Sequence, residues 1–213
     1  MSSGKPKNPR SPSLPLSLDP AEVVRYTGPL WRIHTTAGAH PAAWNDLRRY
    51  GPLPAFRWDP HPVPTQLHPL VGVSYTAQDY ATVFAEVFQR DRLITLTSDK
   101  TLSGWTPSRP LELLDILNSD WAVRNHASAS LPQSPKKTCR AWANAIREQF
   151  GTSIDGLLVP STMTGGAVVV LYSRAGTAFP VAPQFSRSLD HSDVMTMAAN
   201  TARKLKWQIV VAS

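Results

Sequence analysis

A single cysteine, Cys139, serves the whole chain, which excludes a disulfide scaffold and any zinc site built on thiolates. Histidines are few and scattered, and no His-x-x-x-His pair occurs, so a metal site is not expected. There is no Gly-rich phosphate loop: Gly165 and Gly166 stand alone, without the spacing of either nucleotide fingerprint. Gly-x-Ser-x-Gly is missing too, which removes the nucleophile elbow of a serine hydrolase. The longest apolar run, residues 167–171, is strand-sized and not membrane-spanning. The N-terminus has basic residues but not the apolar stretch of a secretory signal. These absences predict a soluble, cytoplasmic protein with no resident metal or cofactor.

Acidic groups are also in short supply. Fifteen Asp and Glu face twenty-two Lys and Arg, a formal net charge of +7. That balance favours an anionic partner: a phosphate-bearing ligand, nucleic acid or an acidic protein. Trp and Tyr are available for base stacking, but Lys and Arg are scattered and no recognition motif occurs, which weakens the nucleic-acid reading. Core-forming material is plentiful. An apolar share of 42%, with seven Trp, excludes wholesale disorder, and 213 residues fit one domain with a tail.

The predicted tail is residues 1–22, rich in Ser and Pro, and its first twenty read as mobile because nothing there buries area against the ordering entropy. The domain then spans residues 23–213. Short β-like runs fall at 30–35, 71–75, 93–97, 157–160, 167–172 and 207–212. Helices are predicted over 79–90, 110–118, 138–150 and 192–206. The first is the clearest, with Tyr80, Val83, Phe84, Val87 and Phe88 on one stripe and Thr76 and Asp79 spaced as a capping box. Proline-dotted stretches at 51–69 and 128–135 read as loops. The order is neither repeated nor βαβ-regular, which predicts an α+β domain with a mixed sheet and flanking helices.

Four segments stand out together. Leu30-Trp31-Arg32-Ile33-His34 sets an arginine inside an apolar strand, and Phe56-Arg57-Trp58-Asp59-Pro60 sets another between aromatics. Tyr75 leads into the helix that carries Glu86, which sits well off the apolar stripe and can face a cleft. Asp155-Gly156 begins a run that ends a strand at Ser161, before Gly165 and Gly166. Singly, each has a plain structural reading: a paired strand arginine, a solvated glutamate, a core tyrosine, a turn serine.

In this order the segments resemble the RES-domain family, bacterial toxin-like proteins named for Arg, Glu and Ser. The family's pattern is matched by LWRIH, RWDPHP, YTAQDYATVFAEV, LLDI, TCRAWANAI and DGLLVPSTMTGG, over about residues 27–175. Asp59 stands where the family often has Asn, His61 interrupts its double proline, and Thr162-Met163 replaces a common Ala-Arg. Some members use a hydroxyl just before the helix at Thr138, so Ser134 and Thr138 rival Ser161.

The resemblance implies a split-sheet fold like that of the ADP-ribosyltransferases, and cleavage of NAD+ at its nicotinamide–ribose bond. It implies Glu86, Arg32 and Ser161 as catalytic residues, with Arg32 and Arg57 on the pyrophosphate and Tyr75 on nicotinamide. Water, inorganic phosphate as co-substrate, or a protein nucleophile is left open as acceptor. An enzyme that depletes NAD+ poisons its own cell, so the resemblance further implies a separate antitoxin of helix-turn-helix type that blocks the site. A catalytically inactive relative serving as an interaction or immunity module is the other reading within the family.

Overall fold

The computed structural model describes residues 7–212. Twelve strands and four α-helices follow in chain order: β1 (Val23–Tyr26), β2 (Leu30–Thr35), β3 (Tyr50–Gly51), β4 (Gln66–Leu67), β5 (Val73–Ala77), α1 (Tyr80–Val87), β6 (Leu93–Leu96), β7 (Lys100–Trp105) and β8 (Leu111–Asp115). Then come α2 (Trp121–Arg124), α3 (Lys136–Phe150), β9 (Gly156–Pro160), β10 (Ala167–Tyr172), β11 (Phe185–Ser188), α4 (Ser192–Leu205) and β12 (Gln208–Val211). Eight strands form one sheet in the order β1-β8-β9-β10-β5-β2-β7-β11, parallel only between β8 and β9. A single register pair, Trp31 with Ala77, joins β5 to β2, so the sheet divides there into five strands and three. The expected α+β class and mixed sheet are both present. No helix among the described residues is long and apolar enough to cross a membrane.

Alternation along the strands sorts side chains to two faces. Val73 and Ala77 of β5, Val168, Val170 and Tyr172 of β10, and Leu157 and Val159 of β9 join the larger core, with Phe84 of α1 and Trp142 of α3. Leu158, Val169 and Leu171 point the other way, into a smaller core with Leu30 and Trp105. Both faces being buried explains why these strands read as continuous apolar runs.

The helix expected over 110–118 is a strand, β8, followed by a turn that Asp115 closes by accepting from the N–H groups of Leu117 and Asn118. Leu111 and Leu113 enter the smaller core and Leu114 the larger one, so the three-residue spacing of leucines reflects a strand buried on both faces. Strands β1, β7 and β11 were not distinguished in the sequence, being short or broken by Ser and Gly. At α1 the cap is Asp79 alone, whose carboxylate accepts from Thr82 N–H and Thr82 Oγ1, while Thr76 Oγ1 donates to Val169 O.

Residues 7–22 of the expected tail pack against the fold; residues 1–6 lie outside the described residues. Trp121 and Trp142 are fully buried, and their indole N–H groups donate to Ser17 O and Pro9 O, at 2.8 and 3.2 Å. A buried indole left unpaired costs on the order of 1–3 kcal/mol, so the core itself recruits this segment. Leu16 is buried beside it, and Ser17 N–H donates to Asn125 Oδ1. Sequence composition hid this because the partners lie more than a hundred residues away.

Candidate active site

Helix α1 and the β9–β10 turn meet edge to edge. Thr82 and Glu86, one helical turn apart, share the side of α1 that faces this turn. Thr82 Oγ1 lies 3.2 Å from Thr164 Oγ1, and Ser161 Oγ donates to Glu86 Oε1 at 2.5 Å. Ser161 Oγ in turn accepts from the N–H groups of Met163 and Thr164, at 3.0 and 3.1 Å. Its one proton is therefore committed to the carboxylate while its lone pairs are held by backbone donors. Gly165, with φ of 72°, gives the turn the left-handed residue that brings Gly166 O back to Ser161 N–H. Ser161 is buried and Glu86 half-buried, so the pair is a fixed carboxylate at the surface of the fold. Gln89 Nε2 donates to Glu86 O at 2.7 Å and approaches Oε2 at 3.4 Å.

Of the three hydroxyls proposed for the site, Ser161 is the one that meets Glu86. Ser134 is buried beneath the N-terminal segment, where its Oγ accepts from Asn8 Nδ2 at 2.9 Å. Thr138 is buried in the first turn of α3.

Arg57 and Tyr75 form a second group. The loop at residues 52–60 is tied to α3 along one helical row: Lys136 Nζ donates to Ala55 O, Arg140 Nη1 to Pro54 O and Phe56 O, and Asn144 Nδ2 to Pro60 O. Spacing of i, i+4 and i+8 puts all three donors on one face. The loop so held presents Phe56, which stacks on Tyr75 with centroids 4.9 Å apart, and Arg57, whose Nη1 donates to Ser134 O and Cys139 Sγ. Arg48 covers Phe56 from 4.9 Å. Burial drives the Tyr75 hydroxyl well above its ordinary pKa, so it stays neutral. Burial likewise raises the Cys139 thiol. Tyr75 packs on the larger core, and alternation from Val159 sends Ser161 to that same face of the sheet. No hydrogen bond joins the two groups among the described residues.

Arg32 is not brought to Glu86. Trp31 meets Tyr80 of α1 edge-on at 5.9 Å, and Leu30 sits in the smaller core, so Arg32 points away from α1 on the far face of β2. Its Nη1 donates to the carbonyls of Ala43, Trp44 and Asp46, and burial lowers its pKa to about 10. The expectation that both arginines share one pocket with Glu86 is corrected accordingly: Arg32 braces the loop at residues 43–46.

Two motif aspartates prove to be clamps. Asp59 has no exposed surface; Arg48 Nη2 lies 2.8 Å away, His61 Nδ1 2.5 Å and Leu53 N–H 2.8 Å. Burial alone would raise its pKa, but hydrogen bonds from His61, Leu53 and Arg48 overcome that and hold it at about 2. Asp155 is equally buried and also depressed, since the Arg109 and Glu112 N–H hydrogen bonds and the charges of Arg109 and Arg174 outweigh its desolvation. A carboxylate depressed by folding stabilises above its unfolded pKa, near 4, and loses that contribution as pH falls through its folded value. The contribution of these two carboxylates to stability at low salt is therefore expected to be flat from pH 7 to about 5, then to fall between about pH 4 and 2. In Asp59→Asn, chemical denaturation across that range should show a shallower fall.

The family model described as RES domain matches residues 29–191. Among solved structures, a chain of the M. tuberculosis MbcT–MbcA toxin–antitoxin complex is similar, with a TM-score of 0.55 and 18% identity over 83% of this chain and 92% of that one. No curated protein sequence matches. The matched span contains both groups described above, Glu86 with Ser161 and Arg57 with Tyr75.

Proposed function

Since the chain belongs to the RES-domain family, we propose that it is a toxin-like enzyme that cleaves the nicotinamide–ribose bond of NAD+. The observation that carries this reading is the 2.5 Å hydrogen bond from Ser161 to Glu86, which fixes one carboxylate at the mouth of the β9–β10 turn. One carboxylate suffices for this reaction. Nicotinamide in NAD+ already bears positive charge on its ring nitrogen, so it leaves without a general acid, whereas ordinary glycosidases need a second carboxyl group. The bond breaks with its electron pair neutralising the nicotinamide ring, and C1′ becomes electron-poor. Glu86, near the ribose 2′-hydroxyl, stabilises that charge, and Ser161 keeps the carboxylate aimed instead of free to rotate. Arg57 supplies a forked donor for the pyrophosphate, and Tyr75, held by its stack on Phe56, is the aromatic residue assigned to the nicotinamide ring. The basic chain draws in an anionic substrate.

Water as acceptor gives hydrolysis and inorganic phosphate gives phosphorolysis; a protein nucleophile gives transfer. The similar structure is that of a toxin–antitoxin complex, and on that analogy of fold this chain is paired with an antitoxin that covers the site, of helix-turn-helix type. Purified protein incubated with NAD+ is expected to release nicotinamide, with phosphate dependence marking phosphorolysis and labelled protein marking transfer. No release under any of these conditions overturns the proposal.

A further inference from the structure

Asn8, in a segment whose composition reads as a tail, makes more hydrogen bonds across the fold than any side chain of the candidate site. Its Oδ1 accepts from Ser128 N–H at 2.8 Å and Ser128 Oγ at 3.0 Å. Its Nδ2 donates to Ser134 Oγ at 2.9 Å and approaches Ser130 Oγ at 3.3 Å. The next residue, Pro9, accepts from the Trp142 indole, which anchors the segment to α3. All of these contacts fall on residues 128–134, or on the helix that follows them.

That stretch has one further duty. Ser134 O accepts from Arg57 Nη1, and the Cys139 thiol both approaches Ser134 O at 3.6 Å and takes a contact from Arg57 at 3.6 Å. Ser134 thus bonds to Asn8 through its side chain and to Arg57 through its backbone. Fixing a two-sided residue from one side restricts the group on the other. We infer that Asn8 is a positioning residue for Arg57: the N-terminal segment is a strap that holds residues 128–134 still, and through Ser134 it sets where the Arg57 guanidinium stands. The consequence for substrate binding rests on the proposed NAD+ reaction; the mechanical link between Asn8 and Arg57 does not.

Cys139 reports on that link directly, because it is the only thiol in the chain and is buried against the same carbonyl. In the full-length protein, Asn8→Ala is expected to speed modification of Cys139 by a disulfide reagent such as DTNB by about tenfold, the factor set by about one lost hydrogen bond or a little more. Arg57→Ala should do the same, and the double variant should go little further, since both open one knot. Ile94→Val, which loosens the core in β6 away from the strap, serves as the stability control and should leave the rate within about twofold. If the reaction proposed above is right, Asn8→Ala also raises the NAD+ KM about tenfold with kcat nearly unchanged, as for loss of ground-state positioning. An unchanged thiol rate in Asn8→Ala overturns the strap, as does an equal rise in Ile94→Val. A faster thiol with an unchanged KM, where Arg57→Ala does raise KM, limits Asn8 to the knot and overturns its positioning role. Absence of nicotinamide release from the wild type defeats the reaction alone, and the thiol rates then decide the link by themselves.

Discussion

Glu86→Gln is expected to lower nicotinamide release by at least about a thousandfold, with thermal unfolding shifted by no more than about 3 °C. The asymmetry follows from the surroundings. Gln keeps the volume and can still accept from Ser161 Oγ, so the hydrogen bond that docks the β9–β10 turn on α1 survives. Thr82 and Thr164 hold the same two elements together one helical turn earlier. What Gln lacks is the negative charge, and charge is what an electron-poor C1′ needs in its transition state. Turnover by Glu86→Gln within about tenfold of wild type would mean that this carboxylate is structural.

The largest effect on stability is expected at Asp155. Arg109 binds both of its oxygens at 2.8 Å, Arg174 Nη1 lies 2.8 Å from Oδ2, and Glu112 N–H donates to the same oxygen at 2.9 Å. The carboxylate has no exposed surface, whereas the two arginines keep about a third of theirs. Breaking a buried pair costs on the order of 3–5 kcal/mol, and the solvation open to the arginines trims that to roughly 2–4. Asp155→Asn should therefore lower Tm by about 5–15 °C, measured by scanning calorimetry. Nicotinamide release at a temperature where both proteins stay folded should change less than about threefold. A Tm within about 2 °C of wild type would contradict the clamp. The neighbouring Gly156 belongs to the same joint: a Cβ there would sit 2.0 Å from Val170 O, so β10 approaches as closely as it does only because position 156 is glycine. The Asp-Gly pair thus holds β9 in place at the end opposite Ser161 and its hydrogen bond to Glu86.

Glu86 was legible in the sequence because a helix advertises its faces. Tyr80, Val83 and Phe84 mark the packed side of α1, and Glu86 lies off it. Ser161 was suggested only by the family resemblance, with Ser134 and Thr138 as rivals; in the structure, alternation through Leu157 and Val159 carries it to the face where it meets Glu86. Arg32 shows where such reasoning stops. A strand arginine between apolar neighbours can serve either face, and its choice depended on Ala43, Trp44 and Asp46, whose carbonyls no local pattern announces. β8 failed for a different cause, since leucines at 111, 114 and 117 fit a helix as well as a strand buried on both sides. The row Lys136, Arg140 and Asn144 was readable as one face of α3, but nothing in it named the proline loop as its partner. Asn8 was the least visible of all, because its value lies wholly in contacts more than a hundred residues distant. Short-range periodicity fixes which side of an element a residue occupies; what waits on that side is decided by the fold.

Proton NMR of NAD+ mixed with the purified chain reads out the proposed action of Glu86 at the glycosidic carbon. With wild type, the nicotinamide resonances should move from their ribosyl-bound positions to those of free nicotinamide while the adenine resonances persist, and with Glu86→Gln they should stay in place. NAD+ left intact by the wild type, or consumed equally by both proteins, would contradict it.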